Sequence, residues 1–160
     1  MAIPGKDRQR SSDAGLDAHL VKPIAWIRCS RYSSSTILLV DDDDGLRDIA
    51  GDVLEECGYD VVPAGNGKQT IDYLRAASER PCLIILDLMM PIVNDWECLR
   101  FIKSEARFSS IPVILVTAID RDRPLGADVV LKKPYAIAHL LAAVEALSAR
   151  ARAQMSLQSP

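Results

Sequence analysis

Five short apolar runs separated by amphipathic stretches constrain this chain more than any other feature. They occupy residues 36–41, 60–64, 82–87, 112–117 and 128–132. Runs this short, rich in Val, Ile and Leu and without clear alternation, are expected of strands buried on both faces. The segments between them have helical periodicity, so the pattern is that of βα units wound around a parallel sheet. The expected fold class is α/β, a three-layer sandwich with helices on both faces of a five-stranded parallel sheet.

The helices are read from the spacing of their apolar residues. Leu46, Ile49, Ala50, Val53 and Leu54 recur at helical intervals, and Gly58 follows as a C-terminal cap. A second helix is expected over 66–77 with Ile71 and Leu74 inward, and a third after residue 94 from Trp96, Leu99 and Ile102 or Lys103. The last helix should run from about 136 to 151, with Leu140, Leu141, Val144 and Leu147 on its inner face. Residues 153–160 are expected to fray behind a main domain spanning 36–152. Only residues 118–127 lie between Thr117 and the fifth strand. That is about six fewer than a loop, a full helix and a second loop need, so the helix there is expected to be shortened or missing.

A chain of 160 residues suits one packed domain. Charge is divided unevenly: residues 1–35 carry a net charge of +3 and residues 36–160 a net charge of −6. An acidic main domain is a poor match for a phosphate backbone, so direct nucleic-acid binding is not expected. No apolar run reaches the ~20 residues of a membrane span, and the N-terminus lacks the apolar core of a signal peptide, so a cytoplasmic location is expected and no membrane partner. The cysteines at 29, 57, 82 and 98 show no paired metal-ligand spacing and read as reduced. Residues 1–35 have no sustained periodicity and read as a separate N-terminal extension, joined through Ser33, Ser34 and Ser35.

In an open parallel sheet the ligand site lies at the carboxyl ends of the strands, near the point where strand order reverses. The polar residues of the apolar runs gather at those ends: Asp41 and Asp42 after the first, Asp87 after the third, Thr117 after the fourth and Lys133 after the fifth. Carboxylates forced together at an apolar rim repel one another, and a hard divalent cation relieves this. Mg²⁺ suits a site of one or two carboxylates, a main-chain carbonyl and an incoming phosphoryl oxygen. Lys133 supplies the remaining positive charge. Asp43 and Asp44 are assigned to the N-terminus of the first helix rather than to the cation.

The Val-Asp-Asp-Asp ending of the first run, Leu-Asp-Leu-Met-Met-Pro around Asp87, Thr117-Ala118 after Val-Ile-Leu-Val, and Lys133-Pro134 together closely resemble the response-regulator receiver family. The resemblance spans nearly all of 36–150, and Asn66-Gly67 resembles the family's usual turn before the second helix. It implies a CheY-like (flavodoxin-like) sheet with strand order 2-1-3-4-5. It also implies a role in a two-component phosphorelay rather than enzymatic turnover. Asp87 would be the phosphoacceptor, attacking the phosphorus of a phosphohistidine. Asp42 would bind Mg²⁺ directly, Asp41 mostly through water, and Met89 through its main-chain carbonyl. Thr117, Ala118 and Lys133 would receive the phosphoryl group, and Pro134 would follow a cis bond. The implied partners are a histidine kinase or histidine phosphotransfer protein and an effector protein, with no output domain within the residues at hand. Residues 15–25 align with 126–136, sharing Gly, Asp, Leu, Lys, Pro and Ala, and read either as the relic of a preceding receiver's end or as coincidence.

Two positions depart from the family pattern. Asn94-Asp95 replaces a usual glycine after the acceptor strand, and Val130 stands where many members carry a Tyr or Phe that rotates on phosphorylation. Val130 and the short stretch before the fifth strand leave a second possibility open, a receiver-fold scaffold that acts without phosphate. A third is a haloacid-dehalogenase-like phosphohydrolase, suggested by Asp42-x-Asp44-Gly45 with Thr117 and Lys133 behind it. Such enzymes need a further acidic motif after the lysine, and only Glu145 follows.

Overall fold

Each of the first two helices is started by a polar side chain just past the end of a strand. The computed structural model describes residues 36–88, 95–119 and 126–157. After β1 (Thr36–Val40), the carboxylate of Asp43 accepts a hydrogen bond from the Leu46 amide at 3.1 Å and opens α1 (Asp44–Glu56). This satisfies one of the free amides of the first turn. Gly58 follows at φ +89°, the left-handed conformation that ends a helix at least strain. After β2 (Asp60–Ala64), the Asn66 side chain accepts from the Gln69 amide at 2.9 Å and opens α2 (Gly67–Ala76).

The order continues with β3 (Leu83–Asp87), α3 (Asp95–Ser104), β4 (Val113–Thr117), β5 (Val129–Lys132) and α4 (Ile137–Leu157). All five strands are parallel, in the order β2-β1-β3-β4-β5. On one face Leu38, Val40, Ile84, Leu86, Val113 and Leu115 pack with Leu74 of α2 and Cys98, Leu99 and Ile102 of α3. Alternate strand residues face the other layer, where a Cβ built on Gly51 of α1 would stand 3.9 Å from Val61 and 4.0 Å from Leu39. Leu140, Leu141, Val144 and Leu147 of α4 are buried as expected.

Three expectations need correction. Burial on both faces holds for β1, β3 and β4, but β2 and β5 are the sheet's edges and stay largely half-exposed. Leu46 and Ile49 fit the helical spacing of α1 yet are 49% and 61% exposed, because only Ala50 and Leu54 of that helix reach full burial. Trp96, placed by the same spacing as Leu99 and Ile102, is 40% exposed while those two are buried. The last helix continues past 151 to Leu157, so residues 153–157 are helical rather than a frayed tail. Ala149-Arg-Ala-Arg-Ala-Gln holds strong helix formers with no breaker among them.

Among the described residues no helix stands between β4 and β5. The expectations for residues 1–35, including the alignment of 15–25 with 126–136, and for the Asn94 turn lie outside the described residues, as do residues 158–160.

Candidate functional site

Strand register carries the site residues to one rim. In the β1–β3 pair Val40 is opposite Leu86, so Asp41 and Asp87 stand level just beyond it. In the β3–β4 pair Asp87 is opposite Val116, which puts Thr117 one step further along. Thr117 is opposite Lys132 of β5, so Lys133 follows at the same rim. The sheet order reverses between β1 and β3, and the crevice at such a switch point is where ligands bind in this architecture.

The side chains then meet. The Lys133 ammonium donates to Asp87 Oδ2 at 2.8 Å and stands 3.8 Å from Asp41 Oδ2. One carboxylate oxygen from each of Asp41, Asp42 and Asp87 lies within 4.8 Å of the others. Asp41 and Asp87 are buried, whereas Asp42 is exposed at the mouth. Asp41 Oδ1 also accepts from the Asp43 amide at 2.9 Å. Thr117 Oγ1 accepts from the Ile119 amide at 3.0 Å, which leaves its own proton free to be donated. Ala118, with its small side chain, directly follows. The Lys133–Pro134 peptide is cis. Met89 lies outside the described residues.

Charge at the rim is out of balance. Burial pushes the Asp41 carboxyl above the ordinary carboxylate range, and the neighbouring charges of Asp87 and Asp42 add to this against the Asp43 amide and Lys133. Burial alone would lower the Lys133 ammonium, but the hydrogen bond to Asp87 and the charges of Asp87 and Asp41 outweigh it and hold Lys133 above its ordinary value. Among the described residues Lys133 is the ammonium that contacts these carboxylates, which leaves the cluster short of positive charge. Oxygens on opposite sides of an octahedral Mg²⁺ stand about 4.2 Å apart, twice the ~2.1 Å bond length. A spread of up to 4.8 Å is close enough for the three carboxylates to share one such ion.

Two residues at the rim escaped the sequence reasoning. Arg47 of α1 donates from Nη1 to the Asp41 main-chain carbonyl at 2.6 Å and from Nη2 to the Asp44 carboxylate. The one available signal was the Asp44–Arg47 helical spacing. Tyr135 has its phenol pushed up by burial, with Lys133 opposing and Asp41 and Asp87 adding to the rise. Nothing in the sequence pattern marked it.

A doubly wound parallel sheet with a lysine-bridged carboxylate cluster at its switch point defines an α/β domain with an acidic rim where ligands bind in this architecture. The family model for the response regulator receiver domain matches residues 37–145, and the chain belongs to that family. Receiver domains are signalling domains, and accepting a phosphoryl group within two-component systems is their general function. Response regulator Rre1 of Synechocystis sp. is 38% identical over 125 residues, covering 74% of this chain and 53% of its own length. The CpxR homolog of Haemophilus influenzae, a transcriptional regulatory protein, is 38% identical over 122 residues, with 72% and 51% covered. The chain thus spans about half the length of the curated relatives it matches.

Among solved structures, the receiver domain of a signal transduction histidine kinase from Syntrophus aciditrophicus superposes with a TM-score of 0.66 at 30% identity, covering 72% of this chain and 90% of that one. The response regulator TrrA of Thermotoga maritima, in complex with Mg²⁺ and BeF, superposes at 0.62 and 29% identity, with 71% and 98% covered. The haloacid-dehalogenase-like alternative is overturned by the family match. The carboxylate cluster points the same way: among the described residues it joins Asp87 to Asp41 and Asp42 and does not include Glu145.

Proposed function

We propose that Asp87 is the phosphoacceptor of this receiver and that Asp41, Asp42, Asp87 and the Met89 carbonyl hold Mg²⁺. The observation that carries this reading is the approach of Lys133 to Asp87 at 2.8 Å beside a carboxylate triad within 4.8 Å. A carboxylate oxygen of Asp87 attacks the phosphorus of a phosphohistidine. The new O–P bond forms as the N–P bond breaks, and the imidazole nitrogen keeps the electron pair. Bound Mg²⁺ supplies the positive charge that the triad and the arriving phosphoryl oxygens lack. Lys133 moves from its contact with Asp87 to a phosphoryl oxygen, Thr117 donates its hydroxyl proton to another, and Ala118 leaves room for the group.

The donor is a histidine kinase or histidine phosphotransfer protein. Leu46 and Ile49, exposed on α1 soon after Asp42, offer it an apolar contact next to the rim. The output is a protein contact rather than nucleic-acid binding or turnover of a substrate, and the protein acts in the cytoplasm. No described helix is long and apolar enough to cross a membrane.

Incubation with acetyl phosphate and Mg²⁺ followed by mass spectrometry tests this. One added phosphoryl group mapping to Asp87, absent from Asp87→Asn, is the expected result, and label that persists in Asp87→Asn refutes it. A second reading, a scaffold that switches without phosphate, draws on Val130, which lies half-buried against the core in place of a rotating aromatic ring. That reading requires amide spectra that do not change with beryllofluoride and Mg²⁺.

A further inference from the structure

Arg47 makes contacts that its place in the first turn of α1 does not require. Its side chain is only 16% exposed. Nη1 donates to the Asp41 carbonyl at 2.6 Å, and a Cβ built on Gly65, in the turn after β2, would stand 3.5 Å from the same nitrogen. Nη2 is bound to the Asp44 carboxylate. Nε is buried without an acceptor among the described residues, an unfavourable feature that the Nη contacts must offset.

The main chain of Asp41 is therefore held on both sides. Its N–H donates to Ala64 O at 3.1 Å, and its carbonyl is gripped by Arg47. The peptide plane between Asp41 and Asp42 sets where the Asp42 carboxylate goes, and Arg47 is the side chain that holds the oxygen of that plane. We infer that Arg47 is a positioning residue for the cation site, aiming Asp42 at Asp87 through the Asp41 carbonyl. The inference rests on the proposal that this rim binds Mg²⁺.

Charge and geometry make opposite predictions here. A guanidinium among Asp41, Asp42, Asp43 and Asp44 repels a dication, so if charge were its whole effect its removal would tighten Mg²⁺ binding. If it orients a ligand, its removal weakens binding, as losing the group that orients a metal ligand does by about 10- to 100-fold.

The test uses the full chain as wild type, Arg47→Met and Arg47→Lys. Mg²⁺ is titrated while the rise in melting temperature is followed, and the acetyl phosphate labelling rate is measured across the same concentrations. The half-saturating Mg²⁺ concentration of Arg47→Met should rise about tenfold in both readouts. Its labelling rate at saturating Mg²⁺ should stay within about twofold of wild type, a split that simple loss of stability does not produce. Arg47→Lys keeps the charge but not the fork, and should fall between the two. Should Arg47→Met fail to fold, Arg47→Lys decides alone, because any weakening at constant charge is geometric. Mg²⁺ binding as tight as wild type, or tighter, in the variants overturns the inference. A wild-type chain that ignores Mg²⁺ overturns the functional reading itself, a different failure and separately visible.

Discussion

Replacing Lys133 with Met keeps the length of the side chain and removes the one ammonium that, among the described residues, contacts the carboxylate triad. The Asp87 side chain is 3% exposed and that of Asp41 is 11% exposed, so water cannot readily compensate them. Coulomb's law at an effective dielectric constant of about 20 gives roughly 6 kcal/mol for unit charges 2.8 Å apart, a gross figure from which the desolvation of the ammonium must be subtracted. Breaking a fully buried pair costs about 3–5 kcal/mol. Lys133 retains 23% exposure, which places the expected loss near the lower bound, about 3 kcal/mol.

Lys133 is held above its ordinary pKa, so its stabilising contribution is fully present below that ordinary value and is lost only as pH rises through the raised one. Neutral pH is therefore a fair place to measure it. Urea unfolding at pH 7 in EDTA should show the full loss, and saturating Mg²⁺ should recover much of it because a dication takes over the lost charge. A loss below about 1 kcal/mol, or one indifferent to Mg²⁺, would refute the argument that this rim is short of positive charge.

Asp41 is raised, so ionising it disfavours the folded state as pH rises from the ordinary carboxylate range through its raised value; Mg²⁺ should stabilise the wild type more at pH 7 than at pH 4.5, as read from melting temperatures. Asp43→Ala removes a helix cap and should cost about 1 kcal/mol in urea unfolding, while the half-saturating Mg²⁺ concentration stays within about twofold of wild type, since its contact with Asp41 is made by the main chain. Gly126→Ala should destabilise by more than about 1 kcal/mol, because Gly126 has φ +105° and an added Cβ would stand 2.8 Å from Lys103 Cγ. Cys82, pushed up to about 11 by burial, and the buried Cys57 and Cys98 should resist iodoacetamide at pH 7.5 until the chain is unfolded, as peptide mapping would show.

Much of the fold was readable because its signals are local. A strand covered on both faces must be apolar throughout, so β1, β3 and β4 announce themselves, and Asp41, Asp87 and Thr117 stand out as polar residues where the apolar runs stop. Asp43 was readable as a helix starter for the same reason, since a cap acts on amides two or three residues away. Leu46 and Ile49 misled because helical spacing says which residues share a face and not how much of that face a neighbour covers.

The order of residues along the chain determined which polar groups stand where the apolar runs end, the set from which the phosphoryl and cation site is proposed. Only tertiary structure decided that Lys133 bridges Asp87 and Asp41, that Asp41 is buried while Asp42 stays open, and that Arg47 grips the Asp41 carbonyl. Those facts depend on parallel register between strands that are dozens of residues apart and on the path of a side chain across a turn. Hydrogen bonds between distant segments are set by packing, and no local pattern of residue types encodes them.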